Sequence, residues 1–122
     1  MVASVTALSR GGIYLARLDP VKGAEAGKLR PVLILSAQEL LDAMPPIVFI
    51  CPLSSRSDPA YEALHVALPP RAQLERPSWA LVEHCRAIST RRLRPHQLAT
   101  ADPQETKEVL RRLGRMLTID LV

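Results

Sequence analysis

The sequence predicts an α+β domain: a small, strongly bent or barrel-like sheet of five or six short strands with one C-terminal helix. Two observations carry that reading. Short apolar runs are punctuated by Gly, Pro and Ser clusters, which is the signature of strands rather than helices. Only the C-terminal segment sustains helical spacing, and it opens on Asp102-Pro103, a helix cap followed by a helix-starting proline. A length of 122 residues fits one domain with a modest core. With only 3% aromatic residues, that core has to be built from Leu, Val, Ile and Ala.

Residues 1–9, MVASVTALS, lack the basic start of a signal peptide and read as a loose tail. Residues 13–18 form the first strand and 32–36 the second. Between them lies LDPVKGAEAGKLRP, too long and polar for a tight hairpin, and loops of this length in small domains are usually functional or disordered. It carries Glu25, Gly23 and Gly27, then Arg30 where the second strand begins. An arginine at a strand root is well held while the loop before it can move, which suits the clamping of a phosphate. Residues 37–43 give one or two helical turns, stopped by Met44-Pro45-Pro46.

The continuous apolar run 47–51 reads as a buried strand. Residues 52–59 form a second polar loop with three serines, Arg56 and Asp58. Short strands are expected at 64–68, 79–83 and 85–88, with a turn region over 69–77 and a basic connector over 89–96. The final helix runs from Asp102 to about residue 119. Val109, Leu110, Leu113, Met116 and Leu117 recur on its apolar side, with Leu110, Leu113 and Leu117 as the docking contacts. Lys107, Arg111, Arg112 and Arg115 fall on its wet side.

The net charge is +4, with 13 Arg against 3 Lys, and the isoelectric point is about 9.6. A basic surface accommodates a polyanionic partner such as nucleic acid. No apolar run approaches the roughly 18 residues of a membrane span, so cytoplasmic residence is expected. Cys51 and Cys85 then stay reduced and read as buried, inert thiols. His65, His84 and His96 share no metal-ligand spacing with them, so neither metal nor cofactor is expected. No G-x-S-x-G or phosphate-binding glycine loop occurs.

Three blocks, in order, carry a family resemblance. The first is Arg10-Gly11-Gly12-Ile13-Tyr14 with Leu18-Asp19-Pro20, Gly23, Glu25, Gly27 and Arg30-Pro31-Val32-Leu33. The second runs Val48-Phe49-Ile50-Cys51-Pro52-Leu53-Ser54-Ser55, and the third Ala80-Leu81-Val82-Glu83-His84-Cys85-Arg86-Ala87-Ile88. Together they resemble the MazF/PemK toxins, the mRNA interferases. The resemblance implies the SH3-like β-barrel common to MazF/PemK and CcdB, usually dimeric; pattern alone does not select it over an OB-fold. It implies sequence-selective, metal-independent cleavage of single-stranded RNA by the ribose 2′-OH, leaving a 2′,3′-cyclic phosphate and a 5′-OH. It also implies an inhibiting acidic antitoxin whose tail folds on binding.

Under the resemblance, Arg30 matches the catalytic arginine, and its fork can hold two phosphate oxygens. Ser54 stands at the catalytic threonine, keeping the donor but losing the stiff branch. Glu25 matches the loop carboxylate and can act as base, orient Arg30 or order the loop. Glu83 fits the family's acidic position, whereas His84 departs from its glutamine. Ser55, Arg56, Tyr61 and Arg86 complete the expected RNA contacts, Tyr61 and the arginines by stacking on bases. Two rivals share the same barrel: a CcdB-like poison that binds protein, and a family member that has lost activity.

Overall fold

In the computed structural model, which describes residues 7–20 and 22–119, the middle of the sheet is buried on both faces. Its strands are β1 (Gly12–Arg17), β2 (Leu29–Ile34) and β3 (Ile47–Ser54). β2 pairs antiparallel with both neighbours, so Leu33 lies opposite Ile13 on one side and Cys51 on the other. Ile13, Leu33, Cys51 and Leu53 face one core. Tyr14, Ala16, Val32, Ile34, Val48 and Ile50 face a second. Burial on both faces is why these segments read as unbroken apolar runs rather than alternations.

The first core is completed by β4 (His65–Leu68), β5 (Ser78–Leu81) and helix α2 (Pro103–Met116), through Val66, Leu68, Ala80, Val109 and Leu113. Leu41 of the short helix α1 (Gln38–Asp42), Ile88 of β6 (Arg86–Ser89), Leu93 of β7 (Leu93–Thr100) and Leu8 cover the second. Of the expected tail, Leu8 is therefore core, and residues 1–6 lie outside the described residues.

The strand order is β4-β5-β3-β2-β1-β7, with β6 also on β3. One edge of β3 serves two partners. Ile47 to Ile50 pair with β6, and Leu53 and Ser54 pair with Ala80 and Trp79 of β5. A 3-10 turn, Val82–His84, joins those partners. Strands that change partners in this way make the corners of folded-over sheets. The sheet does not close into the expected barrel. β4 and β7 end the strand order, and Pro69-Pro70, directly after β4, offers no backbone N–H to extend it. The turn beyond reaches β7 instead, where Gln73 N donates to Leu98 O at 2.9 Å.

Several boundaries differ from the sequence reading. The expected connector 89–96 is a 3-10 turn, Thr90–Arg92, followed by β7. Arg94, Pro95, His96 and Gln97 of β7 are exposed, so no alternation marked it. A proline is tolerated there because β7 is an edge strand. β2 starts at Leu29, which places Arg30 inside the ladder opposite Ala16. β3 runs on to Ser54 through residues read as loop.

Asp102 and Glu105 form a reciprocal capping box on α2: Glu105 N donates to Asp102 Oδ1 at 2.9 Å, and Asp102 N to Glu105 Oε1 at 3.0 Å. The helix ends in a Schellman pattern, with Thr118 at φ 58 and Ile119 N donating to Gly114 O. Leu117, expected to dock, is consequently exposed. Arg112, expected in water, is half-buried and donates to the His65 carbonyl and to Glu108. That hydrogen bond, with neighbouring arginines, holds the Glu108 carboxyl below the usual range. Glu105 also forms a bidentate pair with Arg71, Nη2 to Oε2 being 2.6 Å, which ties the β4–β5 turn to the helix start. Among the described residues no helix is long and apolar enough to cross a membrane.

Leu113→Ala is expected to lower stability by roughly 2–5 kcal/mol, because it empties packed core, while Leu117→Ala stays within about 0.5 kcal/mol. Denaturant melts of the two variants check this, and equal losses would place Leu117 in the core after all. A second expectation concerns thiols. Burial first, then the neighbouring Cys85 thiol and Glu83, pushes the Cys51 thiol well above its ordinary range. The thiolate is the reactive form, so a maleimide should label half-exposed Cys85 in the native protein and reach Cys51 only on unfolding. Peptide mapping reads the order.

Candidate functional site

The loop from β1 to β2 is folded on itself rather than free. At its base, Leu18 N donates to Lys28 O and Lys28 N to Asp19 Oδ1, both at 2.9 Å. Lys28 turns the chain there at φ 66. Arg92 Nη1 donates to the carbonyls of Arg17 and Asp19 at 3.0 and 2.6 Å. Within the loop, Glu25 Oε1 accepts from Lys22 N at 2.6 Å, which leaves its other oxygen without a protein partner among the described residues. At the tip, Ala26 N donates to His84 Nδ1 at 3.1 Å. The mobility expected of this loop is thus restrained at both ends.

Arg30 follows at the start of β2. Its Nε donates to Gly27 O at 2.9 Å, so loop and side chain fix one another. Nη1 and Nη2 keep their donors, with no protein acceptor among the described residues. Such a guanidinium is half-buried, oriented by one bond and open for a bidentate anion through the other two nitrogens.

Arg30 is the wall between two hollows. One, of about 450 Å³, is lined by Arg30, Pro31, Ser54 and Ser55 together with Gln73 and Arg76 of the β4–β5 turn. The other, of about 410 Å³, is lined by Asp19, Glu25, Gly27, Lys28, Arg30 and His84. The β3 terminus delivers Ser54, whose Oγ accepts from Arg56 N at 3.1 Å in a local serine turn. That bond uses a lone pair, so the hydroxyl proton remains available to a ligand oxygen.

Arg56, Tyr61, Glu83 and Arg86, also expected from the sequence, line neither hollow. Arg56 and Tyr61 are exposed, and Tyr61 stacks on His65 with ring centroids 6.4 Å apart. Arg86 Nη1 reaches the Leu18 carbonyl at 3.4 Å. The Glu83 carboxylate turns to His65, 2.7 Å from its Nε2. Sequence reasoning missed Gln73, Glu75 and Arg76, which line the first hollow. Their only trace was the charged pair Glu75-Arg76 inside a turn region, and no spacing rule says that this turn crosses the sheet's open seam.

A hydroxyl and a loop carboxylate thus flank the Arg30 guanidinium on a rolled antiparallel sheet. The family model of PemK-like, MazF-like toxins of type II toxin-antitoxin systems matches residues 9–117. An endoribonuclease MazF of Staphylococcus saprophyticus is 31% identical over 103 residues, spanning 84% of this chain and 84% of that protein. The crystal structure of MazF from Deinococcus radiodurans superposes with a TM-score of 0.78 at 28% identity, over 93% of this chain and 98% of that one. A MazE–MazF crystal structure from the same organism gives 0.69 at 26% identity, over 93% and 98%. The chain belongs to the PemK-like, MazF-like toxin family.

Proposed function

We propose that this chain is the toxin of a type II toxin–antitoxin pair and a sequence-selective, metal-independent endoribonuclease. The observation that carries the reading is the placement of Arg30 between the Ser54 hollow and the Glu25 hollow. A single-stranded RNA crossing that wall sets a phosphate at the guanidinium. Attack by the neighbouring 2′-OH concentrates negative charge on the phosphate oxygens. Arg30 Nη1 and Nη2 stabilise that charge, and preorganised donors of this kind are usually the largest catalytic contribution. The Ser54 hydroxyl adds a further donor. Glu25, with one oxygen uncommitted, is the candidate to take the 2′-OH proton. A guanidinium holds its protons too tightly to be a ready acid, so charge stabilisation is the first role of Arg30.

The net charge of +4 favours both the RNA and an acidic antitoxin. A relative crystallised as a MazE–MazF complex supports the antitoxin partner. Homodimeric assembly and a cytoplasmic setting are part of the same reading and rest on family likeness. His84 enters it as the residue that anchors the Ala26 tip, and Ser55, Arg56, Tyr61 and Arg86 as the surround along which RNA is read, whereas Glu83, expected among those contacts, is turned to His65.

Arg30→Ala is expected to lower cleavage by on the order of 10² to 10³ while the fold persists. Ser54→Ala should lower it too, and Ser54→Thr should keep or raise it, because the donor stays and the rotamer stiffens. Near-parental rates for Arg30→Ala on a mixed-sequence RNA would sink the assignment. The nucleophile has its own test. Deoxyribose placed 5′ to the scissile phosphate should stop cleavage but spare most binding, since backbone charge dominates non-specific affinity. Products should end in cyclic phosphate and free 5′-OH, with or without EDTA. Cleavage of the deoxy strand would point to water as nucleophile instead.

A further inference from the structure

A part-buried polar chain runs from Ser57 through His65 to Glu83, none of which lines either hollow, and the proposed mechanism does not use it. His65, with 1% of its side chain exposed, is its centre. Its Nδ1 lies 2.8 Å from Ser57 Oγ, and its Nε2 lies 2.9 and 2.7 Å from the two Glu83 oxygens. A carboxylate only accepts, so Nε2 carries a proton toward Glu83, and in the neutral ring Nδ1 then accepts from the Ser57 hydroxyl. Arg112 of α2 donates to the His65 carbonyl. Glu83 is followed by His84, whose Nδ1 holds Ala26 N at 3.1 Å.

The two ends of this chain are the two loops that bear the proposed chemistry. Ser57 sits three residues beyond Ser54, on the segment that returns from β3. Ala26 sits one residue from Glu25 and one from Gly27, the carbonyl that orients Arg30. Both ring nitrogens of buried His65 have a partner, and satisfied buried networks are rigid where half-satisfied ones are costly.

We propose that His65, held between Ser57 and Glu83, is a positioning residue that sets the Ser54 loop relative to the Arg30 loop. The proposal rests on the endoribonuclease reading for its catalytic consequence and on geometry alone for its structural one. Ser57 moves with His65, Glu83 fixes the His65 ring, and the Val82–His84 turn carries the constraint to Ala26. Serine and carboxylate therefore act through the imidazole without touching RNA.

The test has two arms. In saturation kinetics on an RNA that the parent cleaves, Ser57→Ala should lower kcat about five- to tenfold, in line with one lost hydrogen bond or slightly more, and leave KM within about twofold. Ser57→Thr should restore kcat, because it restores the hydroxyl. In hydrogen–deuterium exchange on the free protein, Ser57→Ala should speed exchange across residues 54–58 by roughly fivefold. Glu83→Gln should do so there and across 24–27 as well. Exposed Leu40→Ala is the control and should change neither segment. A parental kcat in Ser57→Ala, or unaltered exchange in both network variants, overturns the proposal. Should the parent itself fail to cleave RNA, the endoribonuclease reading falls, and the exchange arm decides the positioning role separately.

Discussion

The molecule depends on how β3 divides one edge between two partners. Its first half pairs with β6 and its last two residues with β5, while its other edge pairs with β2. Because side chains alternate along a strand, one β3 residue feeds each core in turn. Cys51 and Leu53 enter the α2 side, and Val48 and Ile50 enter the α1 side. The change of partner folds the sheet over and leaves Ser54 at the rim, opposite Trp79. Register at that point is strongly specified, since a slip of one residue would exchange the two cores.

From this corner the site assembles by anchoring rather than by direct pairing of functional groups. Arg30 is oriented by the Gly27 carbonyl, the Gly27 segment by Ala26 on His84, and His84 by the turn that joins β5 to β6. The opposite wall of the Ser54 hollow comes from the β4–β5 turn, which Arg71 pins to the capping box of α2 through Glu105. Glu105 so serves two partners with its side chain, the Asp102 N–H at the helix start and the Arg71 guanidinium. Its bidentate bond, acting with the Glu105 charge, raises the Arg71 guanidinium further above its ordinary range. Helix packing, turn placement and the shape of the first hollow are one mechanical unit.

An open sheet serves such a site better than a sealed barrel would. The gap between β4 and β7 is crossed by the turn carrying Gln73 to Arg76, with one backbone contact to Leu98. Those residues line the hollow beside Ser54. A ladder across the seam would consume the same backbone groups and fill the space with paired strands. Burying polar loop groups without partners would be costly, and here the bonds to Leu98, Thr100 and Glu105 meet that need.

The sequence by itself determined a large share of this protein. The apolar run 47–51 marked β3 as a buried strand, Asp102-Pro103 marked the start of α2, and the long polar stretch ending at Arg30 marked the loop between the first two strands. These are local signals: the period of a run, a cap, a long polar loop before an arginine. Tertiary structure alone decided the rest. β7 was invisible because its edge position leaves Arg94 to Gln97 exposed and tolerates Pro95. Leu117 and Arg112 changed sides because a Schellman turn ended the helix early and the His65 carbonyl needed a donor. His65, Ser57 and Arg76 carried no motif, since the meaning of His65 and Ser57 lies in contacts 18 and 8 residues apart and that of Arg76 in a hollow shared with Arg30 and Ser54. Periodicity reports what one segment buries, whereas a site is made of what distant segments bring to the same few ångströms.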